Sequence, residues 1–253
     1  MLELRGVSKK YGDKTALMDM NLSLGPGIYG LLGPNGAGKS TLMNLITGNL
    51  KPSGGEILWE GKEIGSLGAS YRSLLGYAPQ QQGLYDHFSG IRFLSYMAAL
   101  KGIPKKEQPG EIARVLEFVN LTDVRKRPIR TYSGGMRQRL LIAQAVLGAP
   151  KCIVLDEPTA GLDPKERVRV RERIRALAGD RIILVSTHVV SDIEPIAKEI
   201  LLLKSGRLAG RGTVDALCER YGVHGGLEEV YLQVFGEEDQ VRKEGEHVGS
   251  DRS

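Results

Sequence analysis

Apolar and polar residues alternate over 2–7 and 15–24, which predicts strands of a sheet with one exposed face. The turn Lys9-Lys10-Tyr11-Gly12-Asp13 lies between them. The apolar run 28–32 predicts a strand, and Leu42, Leu45 and Ile46 behind it recur at helical spacing until Gly48. Pro52-Ser53-Gly54-Gly55 reads as a turn before short strands at 56–59 and 74–78, the second ending at Pro79-Gln80. The period then changes. Residues 84–101 (Phe93, Leu94, Met97, Leu100) and 109–121 (Ile112, Val115, Leu116, Val119) predict helices, with Pro104 and Pro109 between them. A further helix follows Ser133-Gly134-Gly135 and runs to Leu147. The apolar runs 152–155 and 181–187 fit strands covered on both faces, as in a parallel sheet. Residues 199–204 and 207–212 predict a hairpin over Ser205-Gly206, and 214–220 a short helix. One more helix is expected over 225–235, where Leu227, Val230, Tyr231 and Val234 share a face. From Gly236 to Ser253 the chain is charged and nearly free of apolar residues, which predicts disorder.

Between the 28–32 strand and its helix stands Gly33-Pro34-Asn35-Gly36-Ala37-Gly38-Lys39-Ser40-Thr41, a full match to G-x-x-x-x-G-K-[ST] in the strand–loop–helix context that motif requires. A triphosphate needs many donors at short range, and backbone N–H groups come close only where side chains are missing. Gly33, Gly36 and Gly38 permit that approach. The helix start adds free N–H groups and a positive dipole end, Lys39 would reach the β- and γ-phosphates, and Ser40 would ligate Mg²⁺. The bland alternative, a glycine turn that binds nothing, does not account for the full match. The predicted class is α/β: a P-loop NTPase core with a mostly parallel sheet, an antiparallel β subdomain and a helical insertion.

Other polar residues fall into place around this loop. The predicted core strands end at Gly33, Gln80, Asp156-Glu157 and His188. Ligands of open α/β sheets bind outside the carboxyl ends of the strands, so these groups should converge on one edge. A lone histidine is usually structural; convergence with a phosphate loop favours function for His188. Ser133 is a natural N-cap, and Gly134-Gly135 leave a second anion-accepting helix end, although an ordinary capped helix reads the same way. Tyr11 offers a ring for a planar base; taken alone, it reads as a surface tyrosine.

Composition narrows the picture little. The chain has 253 residues, a net charge of +5 and a pI near 9.1. The basic clusters, Arg125-Lys126-Arg127 with Arg130 and the run 167–175, read as solvated surface, so no nucleic acid is expected as partner. Cys152 and Cys218 lack metal or redox spacing, which suits a reducing cytosol. Met1-Leu2-Glu3-Leu4-Arg5 does not resemble a signal peptide, and no apolar run approaches the ~20 residues of a membrane span.

Taken in order, these motifs closely resemble the ATP-binding subunits of ABC transporters over roughly residues 1–235. Residues 33–41 look like Walker A and 152–157 like Walker B. Tyr132-Ser133-Gly134-Gly135-Met136 resembles the signature usually written LSGGQ, with Tyr132 and Met136 as departures. Gln80 fits the Q-loop, Ala160-Gly161-Leu162-Asp163 the D-loop, His188 the switch histidine, and Tyr11 the adenine-stacking aromatic. The stretch 226–231 is similar to the end of ABC-2 type exporters. The resemblance implies ATP and Mg²⁺ as cofactors, with Asp156 holding the metal through water and Ser40 and Gln80 as direct ligands. It implies Glu157 polarising the attacking water, His188 contacting the γ-phosphate, and Lys39 and Gln80 completing the catalytic set. Tyr11, Gly33 to Thr41, Ser133, Gly134, Gly135 and Asp163 would bind nucleotide, the last four of these across a dimer. The implied partners are an integral membrane permease, contacted by the helical part, and a second ATP-binding subunit, identical or not. The implied place is the cytoplasmic face of the membrane.

The corresponding division is an ATPase core over 1–79 and 149–222, a helical subdomain over 80–148, and a C-terminal helix with tail over 223–253. Other readings are a soluble ABC-type ATPase of translation or repair, a regulator that binds ATP without turnover, and a P-loop GTPase. One domain without sustained heptads speaks against the first, intact Glu157 and His188 against the second, and Ser133-Gly134-Gly135 against the third.

Overall fold

The computed structural model describes residues 1–80 and 83–236, so the disorder expected beyond Gly236 lies outside the described residues. The chain opens with two long antiparallel strands, β1 (Leu2–Tyr11) and β2 (Lys14–Leu24), then β3 (Gly27–Leu32) and α1 (Lys39–Ile46). β4 (Gly54–Trp59), β5 (Lys62–Glu63), α2 (Ile64–Leu67), α3 (Ala69–Leu74) and β6 (Leu75–Ala78) follow. Three helices come next, α4 (Gly90–Leu100), α5 (Gln108–Phe118) and α6 (Gly134–Val146). The chain returns through β7 (Cys152–Asp156), α7 (Pro164–Ala176), β8 (Ile182–Ser186), α8 (Val190–Ile193), β9 (Glu199–Lys204), β10 (Arg207–Gly212) and α9 (Val214–Tyr221). A last helix, α10, covers 227–236.

The strands form two sheets. One is antiparallel, in the order β2-β1-β4-β5; the other runs β10-β9-β3-β8-β7-β6 and is parallel from β9 to β6. The unbroken apolar runs become the buried central strands because both faces of this sheet are covered. Ile153, Leu155, Ile183, Val185, Ile200 and Leu202 face the core shared with α4 to α8 and α10. Their neighbours Cys152, Val154, Ile182, Leu184, Leu201 and Leu203 face α1 and the antiparallel sheet. Each such buried aliphatic side chain contributes about 1.5–3 kcal/mol.

Three details differ from the sequence pattern. The helix expected from residue 84 starts at Gly90, because Ser89 caps it by accepting from the Arg92 N–H (3.3 Å). The preceding residues form a turn in which the Tyr85 and Phe88 rings stack at 5.0 Å. β5, α2 and α3 are too short to carry a period in the sequence, and Glu63 caps α2 by accepting from the Gly65 and Ser66 N–H groups. Of the α7 arginines, all expected to face solvent, Arg169 and Arg175 are exposed, whereas the other three hold neighbouring groups. Arg167 donates to Leu162 O (3.1 Å), Arg171 to Ser191 O (3.3 Å), and Arg173 lies 5.6 Å over the Phe118 ring.

Candidate active site

At the carboxyl edge of the parallel strands lies an open cleft of about 830 Å³, within the range of small-molecule sites. The loop between β3 and α1 forms its floor. Two of its glycines are required by the protein's own packing. A Cβ at Gly33 would stand 2.2 Å from Leu203 O, and one at Gly38 2.7 Å from Ala16 O. Gly38 also has φ +109, and it starts α1 without a side-chain cap among the described residues, which leaves the first N–H groups of the helix to the cleft. Lys39 Nζ donates to Gly33 O (2.5 Å) and Pro34 O (3.1 Å), so the amine is held over the loop. Burial pushes its pKa down, while the carboxylates of Glu157 and Asp156 act against that shift.

The end of β7 brings in the acidic pair. Asp156 and Glu157 are both buried, and the Ser186 hydroxyl at the end of β8 donates to Asp156 Oδ1. Glu157 adopts φ +50, a left-handed conformation uncommon for a non-glycine residue, and its N–H is held by Ser186 O and Oγ, each at 3.1 Å. That turn directs the carboxylate to His188, whose Nδ1 lies 2.9 Å from Glu157 Oε2. In the tautomer with the proton on Nδ1, the ring donates to an ionised Glu157 carboxylate, which only accepts, and Nε2 is the other polar atom of the ring. The His188 side chain is 60% exposed and that of Glu157 8%, so the histidine lies at the rim and the carboxylate within. The Thr187 hydroxyl, accepting from the Val189 N–H (3.0 Å), fixes the backbone around it.

Tyr11, Gly33, Pro34, Asn35, Gly36, Gly38, Lys39, Ser40, Thr41, Gln80, Asp156, Glu157 and His188 all line this one cleft. Ala37 lies behind it, its carbonyl accepting from the Gly206 N–H (2.9 Å). Tyr11 is 46% exposed, with Lys9 Nζ 5.3 Å from its ring centroid. Lys14, Thr15, Ala16, Ser205, Gly206 and Tyr231 line the cleft as well, and nothing in the sequence singled them out for a site. The oxygens of Ser40, Gln80 and Asp156 are hard donors with one carboxylate among them. That set fits a small divalent cation that completes its shell with water and phosphate oxygens.

Ser133, Gly134, Gly135 and Asp163 lie outside the cleft. Ser133 Oγ caps α6 by accepting from the Met136 N–H (3.2 Å), and Asp163 Oδ1 caps α7 by accepting from the Glu166 N–H (2.9 Å). Tyr132 is buried and donates its hydroxyl to Val124 O (2.9 Å), so this departure from the signature pattern serves packing.

A family model described as "ABC transporter" matches residues 17–160. A Nod factor export ATP-binding protein of Cupriavidus pinatubonensis (strain JMP 134) is 36% identical over 221 residues, which cover 87% of this chain and 68% of the relative. A solved ATP-binding subunit of an ABC transporter superposes with TM-score 0.81 at 28% identity, over 92% of this chain and 98% of that one. A dimeric ATP-binding cassette in a post-hydrolysis state, bound to ADP and Pi, superposes with TM-score 0.74 at 25% identity, over 84% and 98%. The chain belongs to the ABC transporter family. Within it, this is an ATP-binding, ATP-hydrolysing cassette, a class that dimerises and works with a membrane permease. Among the described residues, no helix is long and apolar enough to cross a membrane.

Proposed function

We propose that this chain hydrolyses Mg-ATP in the cleft described above and drives export of a solute through a separate permease, from the cytoplasmic face of the membrane. The observation that carries this reading is the gathering of Lys39, Gln80, Asp156, Glu157 and His188 around one glycine loop, with Glu157 and His188 in contact at 2.9 Å. The loop N–H groups and Lys39 hold the phosphates, and Tyr11 stacks on the base. Ser40, Gln80 and Asp156 hold Mg²⁺, which, when bound, offsets phosphate charge. Glu157 orients a water toward the γ-phosphorus and receives its proton as the new P–O bond forms and the bond to ADP breaks. His188, itself positioned by Glu157, steadies the transferred group through Nε2. Assistance by such a base contributes ~10²–10⁴-fold, and preorganised charge supplies much of the rest.

The Ser133-Gly134-Gly135 helix end and Asp163 serve a second subunit, identical or not, whose nucleotide they cover. A Cβ at Gly134 would meet nothing within 4 Å, so this helix end is open to a group from outside this chain. Residues 1–79 and 149–222 act as the ATPase core, 80–148 as the helical part that meets the permease, and 223–253 as a C-terminal extension. Export is favoured because the Nod factor relative is named for export.

Glu157→Gln tests the reading. Hydrolysis should fall ~10²-fold or more while ATP binding survives, because the phosphate donors are untouched. In Mg-ATP this variant should sediment as a dimer, and adding Ser133→Arg should return it to monomer. Hydrolysis at the wild-type rate in Glu157→Gln overturns the assignment.

A further inference from the structure

The first turns of α6 and α7 touch. Each helix starts from a capping residue at the surface: Ser133 is exposed together with Gly134 at one start, and Asp163 at the other. Glu166 joins the two. Its N–H donates to Asp163 Oδ1 (2.9 Å), and its side chain packs on Gly135. A Cβ at Gly135 would stand 3.1 Å from Glu166 Oε2 and 3.2 Å from Glu166 Cγ, so the bare glycine is what gives this side chain room.

The charges are arranged around the same contact. Glu166 Oε1 accepts from Arg169 of its own helix, and Oε2 lies 3.6 Å from Arg139 Nε on α6. Arg139 Nε also donates to Gly135 O (3.4 Å). The Arg139 and Glu166 side chains are only 12% and 16% exposed. Glu166 Oε2 is buried and accepts no hydrogen bond among the described residues, so Arg139 is the charge that offsets it across the helix contact. Removing one member of such a pair leaves the other uncompensated. Neither residue lines the ATP cleft.

We infer that Glu166 is a positioning residue: paired with Arg139, it locks the starts of α6 and α7 into one surface, so that Ser133, Gly134 and Asp163 meet the second subunit together. This rests on those residues covering a partner's nucleotide, as proposed above. The pair then acts on assembly and leaves ATP binding by the single chain alone. The test is a double-substitution cycle in the Glu157→Gln background, with Glu166→Gln, Arg139→Gln or both added. Sedimentation at saturating Mg-ATP over a range of chain concentrations gives the dimer dissociation constant. Titration of the dilute chain gives ATP affinity, and urea unfolding gives stability. Each single substitution should weaken the dimer about 10-fold, the scale of a contact between charged groups. The double substitution should cost no more than the worse single, because the interaction is already lost. ATP affinity should stay within about 2-fold, as for sites that share no partner. Should a lone buried charge unfold a single variant, the double one, which leaves neither charge unpaired, still reports the loss. A pair that only stabilised the fold would lower the urea midpoint and leave the dimer constant of the folded, ATP-bound chain unchanged. That result overturns the inference, and so do losses that multiply in the double variant or an ATP affinity that falls with the dimer. Glu157→Gln alone that binds ATP and stays monomeric overturns the dimer reading instead, so the two failures are distinguishable.

Discussion

Two helices of this chain begin in glycine-rich sequence, and they are built in opposite ways. α1 starts from Gly38 at φ +109 without a side-chain cap, directly over the cleft. α6 starts from Ser133 in an extended conformation, with the serine hydroxyl capping its third N–H. At the first site Gly33 and Gly38 are pressed by Leu203 O and Ala16 O, so the fold itself excludes a side chain. At the second, Gly134 faces open space. A glycine crowded by its own chain reports a tight turn. One surrounded by nothing leaves room for an approach from outside. The same residue type thus closes a tight loop at α1 and leaves an open helix end at α6.

Three experiments sharpen that contrast. Lys39→Ala removes the charge held over the α1 loop and should weaken ATP by about 10- to 100-fold, the worth of a hydrogen bond to a charged group; titration with Mg-ATP measures it. Near wild-type affinity would take Lys39 out of the site. Next, Gly33→Ala should cost about 1–3 kcal/mol of stability through overpacking, whereas Gly134→Ala should stay within ~0.5 kcal/mol, as for an exposed surface change. Urea unfolding compares them. Gly134→Ala should nevertheless weaken the ATP-dependent dimer, and equal stability losses in the two variants would erase the distinction.

The smallest effect concerns the far end of α6. Lys101 Nζ donates to Leu147 O (2.8 Å) just past that helix, and burial lowers its pKa from 10.5 to about 8, with Glu111 opposing. Between those two values the unfolded chain holds the proton and the folded chain has lost it, so stability rises with pH across the window. From about pH 7 to about pH 9 this group alone should add ~1 kcal/mol. Lys101→Met should lose that increment, and a slope unchanged by the substitution would remove Lys101 as its source.

Much of this was legible in the sequence, because the relevant signals are local. The glycine loop is contiguous, and Asp156-Glu157 and His188 each follow an apolar run that fits a buried strand. Sheet order does the rest. The elements that escaped are those decided by tertiary contact. Ser205-Gly206 reads only as a turn until Gly206 is seen bonded to Ala37, and Tyr231 only as one face of an amphipathic helix. The arginines of α7 carry no mark of the carbonyls and ring that they meet. The start of α4 lies later than the sequence pattern suggests because Leu84 and Phe88 pack against the core from outside the helix, which extends the helical period backwards.

The register of β3 has a consequence for how the protein is made. This strand carries the phosphate loop, yet its partners are β8 and β9, with Gly27 opposite Ile182 and Tyr29 opposite Glu199. Contacts so distant along the chain close late and slowly. During synthesis the loop is therefore among the first segments to emerge and among the last to gain a framework. A ribosome-bound fragment ending before β8 contains every residue of the loop and neither of the strands that pair with β3. A ligand that needs the assembled cleft, as ATP would, by mass action draws the late-forming half of the sheet toward the native state.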